Sequence, residues 1–418
     1  MAEIEVPHYF ICPISLEIMK DPVTVSTGIT YDRESIEKWI FSQNNQTCPV
    51  TKQLLVSSDA AAAAADLTPN ITVRRLIQSW CTLHAVERLP TPKPPATKPQ
   101  ILKLLRDAAK SPPQAQIKCL QKLRSIAAQN ETNKRCMETA GAAEFLAAFV
   151  VGKSNLQSGL EEDLKACDEA MAVLHGLRLT ESGLKTLSLN GEFVGSLTPL
   201  MQRGSDESRA YSIMLLQQIV EVAEPSHLIN LRPDFFVETT QILKDQICEK
   251  ASKSALKVLI NVCAWGRNRI KAVEAGLVAV IIDLLLDLPS SSSEKKSACE
   301  MMLTALDLVC QCAEGRAEVV NHAAGLAVVS KKILRVSPLA SERGVRILYS
   351  ISRFSAGGNN GILQEMLQIG VVAKLCLIMQ VDCGVRTKER AREMLKLHSR
   401  AWRNSPCLPR NLLSSYPS

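Results

Sequence analysis

Five residues among the first 84 could bind a metal through nitrogen or sulfur: His8, Cys12, Cys48, Cys81 and His84. A pair of structural zinc sites needs eight such ligands. Cys81 and His84 also fall late in a helical stretch, so the count excludes a two-zinc scaffold, and neither a metal nor another cofactor is expected. The same thiols could act as nucleophiles in covalent transfer. Cys12 and Cys48 each directly precede a proline, in Cys12-Pro13 and Cys48-Pro49. Neither has a His or Asp placed by sequence to activate it, so covalent catalysis on this chain is not expected. The 14 cysteines include no C-x-x-C pair; the closest spacings are Cys310/Cys312 and Cys376/Cys383. They read as reduced thiols that mostly serve as small buried apolar groups.

The elements around these residues follow from pattern. Pro22 to Tyr31 alternates Val23, Val25, Ile29 and Tyr31 around Ser26-Thr27-Gly28, which predicts a hairpin with glycine in the turn. Asp32 can cap a helix whose Ile36, Trp39 and Ile40 share a face. Cys48-Pro49-Val50-Thr51 forms a second loop. Pro69-Asn70 starts another helix, with Val73, Leu76, Ile77, Trp80 and Leu83 on its apolar face. An insert, Ala60–Ala65, reads as a surface loop or an extra helical turn without chemistry. Loop, hairpin, helix, loop, helix is the layout of a RING finger. Without zinc, such a scaffold needs hydrogen bonds and ion pairs in its place. Asp21, Asp32, Arg33, Glu34, Glu37, Lys38 and Arg74 are available for this, although their pairing is not readable from sequence.

Residues 90–99 hold five prolines, a semi-rigid spacer of about 30 Å if extended as polyproline II. Few contacts are expected to cross it. From Ile101 onward the pattern is helical and repeats. Gly141, Gly191, Gly276, Gly325 and Gly370 each precede an apolar run, and a degenerate unit near Pro233 fills the one long gap. The resulting period of about 46 residues belongs to HEAT or armadillo arrays. The recurring glycine favours armadillo, because it permits a sharp turn with positive φ between a short helix and a longer one. Ser254 to Asp287 is the clearest unit.

Composition bounds the rest. The chain has 418 residues, 46% hydrophobic, 22% charged and 4% aromatic, with a net charge of +7. That usage is globular, and aliphatic helical cores suit it better than a β-sandwich. Eight Lys/Arg against two Glu lie between Arg386 and Arg410, so most of the basic excess sits in one C-terminal stretch. A nucleic-acid footprint spread over a domain is therefore not expected. The N-terminus lacks a secretory pattern, Ala2 excludes N-myristoylation, and the longest apolar run, Gly276 to Leu288, is broken by Asp283 and Asp287. No transmembrane segment is expected, and the address is cytoplasmic, with the nucleus open.

FICPISLEIMKDPVTVSTGITYDRESIEKWI, TCPVTKQLL and LTPNITVRRLIQSWC, in that order, resemble a U-box, the metal-free relative of the RING. With the proline-rich spacer, the repeats and the ending ERAREMLKLHSRAWRNSPC, the chain resembles the plant U-box/armadillo-repeat E3 ubiquitin-protein ligase family over nearly its full length. The resemblance implies an α+β U-box (RING-like, zinc-free) at 5–84, a linker at 85–100, an all-α armadillo-type superhelical repeat array at 101–400 and a tail at 401–418. It further implies a module without a nucleophile, which docks a ubiquitin-charged conjugating enzyme and readies its thioester for a substrate lysine. By match to the family motif, Ile14, Leu16, Trp39 and Pro49 form the docking surface. Lys52 stands where some relatives carry an arginine that touches ubiquitin and its carrier; lysine offers a point charge in place of a bidentate fork. Protein substrates are expected on the array, in defence or stress signalling, and homo-oligomers stay open.

Two other functions compete. A non-catalytic armadillo adaptor would have lost residues such as Ile14, Trp39 or Pro49, which are all present. Import of basic peptides would need a ladder of Asn and Trp in successive repeats. The equivalent points are Ser125, His175, Asn261, Cys310 and Ser350, only one of them Asn.

Overall fold

The computed structural model describes residues 6–42, 45–55, 67–84, 95–154, 161–229, 231–288, 293–355, 360–402 and 416. Ala60–Ala65 and half of the proline-rich spacer lie outside them. The chain divides into two compact units, Met1–Leu187 and Ser188–Ser418.

The first unit opens with the expected hairpin. Strands β1 (Pro22–Thr24) and β2 (Thr30–Asp32) pair antiparallel, Val23 opposite Tyr31. Gly28 takes φ +81° at the turn, a conformation that only glycine adopts without strain. A short β3 (Thr68–Pro69) pairs with the other edge of β1. Helix α1 (Arg33–Glu37) runs on into a π-helical turn, Lys38–Ser42. Helix α2 (Ile71–Leu83) starts on Asn70, whose side chain accepts from the Val73 amide at 3.0 Å. That side chain also donates to the hydroxyls of Thr24 and Thr30, fastening α2 to the hairpin. Phe10, Met19, Val23, Tyr31, Ile36 and Ile77 form the centre of the core.

Two local expectations are corrected. Asp32 occupies the N-cap position of α1 but makes no cap bond; its Oδ1 accepts instead from the amides of Lys20 and Asp21 at 2.8 and 2.9 Å. On α2 the buried stripe is Ile77 and Cys81, with Val73 and Trp80 packed beside it, whereas Leu76 and Leu83 are exposed. The module is small, and its sheet and first helix cover only part of the face that the period-3.6 pattern marks.

Helices α3 (Lys98–Lys110), α4 (Pro113–Ala127), α5 (Glu131–Thr139), α6 (Ala142–Ser154) and α7 (Glu161–Leu177) complete the described helices wholly within this unit. Helix α4 lies against α7. Across the spacer, α1 touches α5.

The second unit repeats a short helix, a turn and two longer helices. Gly266–Glu274, Leu277–Asp287 and Ser293–Val309 form one such triplet. Third helices stack on one another: Asp206–Val222 on Glu249–Val262, then Ser293–Val309, Pro338–Ser355 and Val385–Leu397. Lys271, Lys332 and Lys374 each reach back one repeat to a backbone carbonyl, of Leu231, Leu288 and Ser330. The Leu288 and Ser330 carbonyls lie at helix C-terminal ends, where they would otherwise be left open.

The landmark glycines divide into two kinds. Gly141, Gly276 and Gly370 all take φ +77°, as the turn expectation requires. Gly191 and Gly325 instead begin helices without positive φ. A Cβ on Gly325 would meet the Val319 carbonyl oxygen at 1.9 Å, so close packing demands glycine there. Nothing in the structure explains Gly191.

Candidate functional site

The two Cys-Pro loops have the same backbone. In the first, the Cys12 amide donates to Glu17 O and the Leu16 amide to Cys12 O, at 2.8 and 2.9 Å. In the second, the Cys48 amide donates to Gln53 O and the Lys52 amide to Cys48 O, at the same distances. Each is closed by an isolated antiparallel bridge, Ile11 to Ile18 and Thr47 to Leu54. Each carries a non-glycine residue in the left-handed region, Leu16 at φ +58° and Lys52 at φ +60°. Both side chains are exposed, Leu16 to 76%.

Adjacent residues of β2 hold both loops. The Asp32 amide donates to Cys12 Sγ at 3.3 Å, and Tyr31 Oη meets Cys48 Sγ at 3.0 Å. Thr27 Oγ1 and the Thr51 amide also donate to Cys48 Sγ, each at 3.4 Å. Burial pushes the Cys48 thiol up, but the bonds from Thr27, Thr51 and Tyr31 outweigh it and bring it down to about 6. Tyr31 moves the other way, raised by burial and by its bond to Cys48. Both cysteines are 0% exposed. Cys48 is thus a thiolate-like acceptor sealed from any thioester, which fits a structural hub and not a nucleophile.

The charged residues form the second hub. Arg33 Nε binds Asp21 Oδ2 at 2.7 Å, and Arg74 binds the other oxygen of the same carboxylate. Lys38 pairs with Glu34 on the exposed side of the helix. Glu37 stands 3.7 Å from Arg33. Among the described residues, no three of His, Cys, Asp and Glu converge as metal ligands.

The residues expected to dock a partner are spread over these elements. Ile14 and Trp39 are half-buried and pack on the same core. Trp39 Nε1 donates to Thr47 O at 2.8 Å, which ties α1's continuation to the second loop. Pro49 is half-buried in that loop, and Leu16 stands free on the first. Two exposed apolar residues on the second loop were not anticipated, Val50 at 53% and Leu54 at 71%. The match of ICPISLEI with TCPVTKQL, position by position, is the signal that could have found them.

The family profile for the U-box domain matches residues 6–85. The profile for the plant U-box protein ARM repeat region matches residues 100–418. The chain belongs to the plant U-box proteins with an armadillo repeat region. It is 55% identical to the E3 ubiquitin-protein ligase PUB23 of Arabidopsis thaliana, covering 99% of this chain and 98% of the relative. It is 53% identical to PUB22, named as an E3 ubiquitin-protein ligase of the same plant, covering 100% and 99%. Among solved structures, computationally designed armadillo repeat proteins align at 17% identity and a TM-score of 0.35, over 71% of this chain and 99% of theirs.

In the ARM region the ladder points are uneven. Ser125 and Asn261 are exposed, but Cys310 is buried and its carbonyl accepts from the Ser350 hydroxyl at 3.1 Å. Cys310 therefore offers no side chain to an extended peptide. Trp265 is half-buried at the N-cap of Gly266–Glu274. Among the described residues, no single helix is long and apolar enough to cross a membrane.

Proposed function

We propose that this chain is an E3 ubiquitin-protein ligase whose U-box recruits a ubiquitin-charged conjugating enzyme while the ARM array holds the protein to be modified. The substrate lysine amine attacks the thioester carbonyl, an isopeptide bond forms, and the thiolate of the conjugating enzyme leaves. The U-box contributes no bond to this exchange; it restrains the thioester and brings the amine to it. Ile14 and Leu16 on the first loop, Trp39, and Pro49 on the second are the docking residues, with Val50 and Leu54 extending the apolar surface. Lys52 adds a point charge toward ubiquitin or its carrier. The reaction runs in the cytoplasm or nucleus and serves plant defence or stress responses.

The observation that carries this reading is the pair of equivalent loops that hold Leu16, Val50 and Leu54 out to solvent, with Trp39 tied to the second. Exposed apolar groups on a rigid, polar-rimmed frame are the usual anchors of a small interface. The test is discharge of a ubiquitin-loaded conjugating enzyme by the full chain and by Ile14→Ala, Trp39→Ala and Pro49→Ala. Each variant is expected to lose about 2 kcal/mol of docking, roughly thirtyfold in affinity. Trp39→Ala also frees Thr47, so the melting temperature of each variant is read beside it. A folded Ile14→Ala protein that ligates at the wild-type rate removes the docking assignment.

A further inference from the structure

Glu37 is 1% exposed, yet its closest partners are not in the U-box. Its Oε2 accepts from the Glu131 amide at 2.9 Å and its Oε1 from Thr132 Oγ1 at 2.6 Å, both in the first turn of α5. Arg33 lies farther off, at 3.7 Å, and its nearer partner is Asp21 at 2.7 Å. The U-box ion-pair cluster is therefore complete without Glu37, and the carboxylate serves the array.

The receiving end is built for an anion. A helix N-terminus presents free amides and the positive end of the helix dipole. Asn130 caps the Asn133 amide at 2.7 Å, which leaves the Glu131 amide for a group from elsewhere. Glu37 supplies it. A second tie lands on the same turn, since the Ala96 amide, at the end of the spacer, donates to Asn133 Oδ1 at 2.8 Å. Asn133 itself is fully buried and donates to Ile126 O. Asn268 repeats that bond to Val262 O, 135 residues on, but its Oδ1 has no hydrogen-bond partner. Asn133 thus receives the spacer through the oxygen that Asn268 leaves without a partner.

The contact also faces the right way. Successive residues of a helix are about 100° apart, so Glu37 and Trp39 emerge on roughly opposite sides. Glu37 faces α5, and the Trp39 indole reaches Thr47 in the second loop. The array grips the back of the element that carries the docking residues and leaves Leu16, Val50 and Leu54 exposed.

On the ligase reading above, we propose that Glu37 is a positioning residue for ubiquitin transfer: it clamps the U-box to the first turn of α5 and so sets which lysines the docked thioester reaches. A buried carboxylate deprived of its donors is strongly unfavourable, so the clamp is either made or released as a unit.

Three readouts on the full chain test this. Discharge of the loaded conjugating enzyme to free lysine reports the U-box alone; if wild type fails here, the ligase reading falls and the clamp is judged by exchange only. Hydrogen exchange at the Glu131 amide reports the clamp directly. First-turn amides exchange freely unless an outside acceptor holds them, so about tenfold faster exchange is expected in Glu37→Ala, one hydrogen bond's worth. The map of self-modified lysines reports geometry. It is expected to broaden in Glu37→Ala and in Thr132→Ala, which leaves the U-box untouched, and to return in Thr132→Ser. Discharge to free lysine is expected to stay at the wild-type level in all three variants. A Glu131 amide that exchanges freely in wild type overturns the proposal. So does an unchanged lysine map in Glu37→Ala, or loss of free-lysine discharge in that variant.

Discussion

Residues 11–18 and 47–54 share their backbone hydrogen bonds, their closing bridge and their left-handed sixth position, but their cysteines live in different surroundings. Cys12 Sγ accepts from the Asp32 amide. The first loop gains its remaining support next door, where Asp32 takes the amides of Lys20 and Asp21, and Asp21 holds Arg33 and Arg74. Cys48 Sγ is itself the hub, with Tyr31, Thr27 and Thr51 around it. One loop shape is thus fixed in two ways, by carboxylates in one case and by a sulfur in the other. The difference teaches that a RING-like scaffold can replace its metal with any centre that gathers several donors in a dry place.

The largest break in this comparison should come from the sulfurs. Cys48→Ala leaves the Tyr31 hydroxyl buried without its partner and strips an acceptor from Thr27 and Thr51. An unsatisfied buried donor costs about 1–3 kcal/mol, and the small cavity adds to it, so a loss of about 3 kcal/mol is expected. Cys12→Ala strands one amide and should cost about 1 kcal/mol. The urea midpoint at which a protease begins to cut the U-box measures both. Equal losses would mean that the hubs are equivalent and the contrast is only geometric.

A pH series sharpens the same contrast. The folded Cys48 thiol titrates near 6, below its ordinary value of about 8.5. Between these values the unfolded chain holds a proton that the folded U-box does not. Stability is therefore expected to rise with pH across that window and to fall away as pH drops through about 6. The midpoint difference between wild type and Cys48→Ser isolates this slope from other titrations. A difference that is flat from pH 6 to 8.5 would show that the folded sulfur keeps its proton.

How much of this was legible depended on how local the cause was. The hairpin, the helix on Asn70 and the repeat period follow from neighbours in the chain: Gly28 at φ +81°, the Asn70 cap, and a glycine every 45 to 50 residues where it recurs. The docking residues were readable only through family motif, because periodicity assigns Ile14 and Trp39 to the core as readily as to the surface. The pairing of charges was not readable at all. Asp21 meets Arg74 across 53 residues, and Glu37 meets Thr132 across 95, partners that no spacing rule reaches. Asp32 failed as a predicted cap for the same reason, since amides 11 and 12 residues upstream outcompeted the local one.

The smallest effect lies at the left-handed residues, and it separates backbone from docking. A side chain in that region costs about 1–2 kcal/mol relative to glycine, while glycine adds about 0.5–1 kcal/mol of unfolded-state entropy. Leu16→Gly and Lys52→Gly should therefore each stabilise the U-box by less than about 1 kcal/mol, and by the same amount if the loops are equivalent as backbones. Their effects on ubiquitin transfer should differ. Leu16→Gly removes an exposed apolar anchor and should lose conjugating-enzyme binding despite the firmer fold. Lys52→Gly removes one solvated charge and should lower transfer only slightly, because a point charge at an exposed site contributes little. Melting of each variant beside its rate of thioester discharge reads both quantities on one preparation. If Lys52→Gly costs as much transfer as Leu16→Gly, the second loop contacts the charged carrier as strongly as the first, and the two loops form one surface whose difference in side chain at this position has no functional weight.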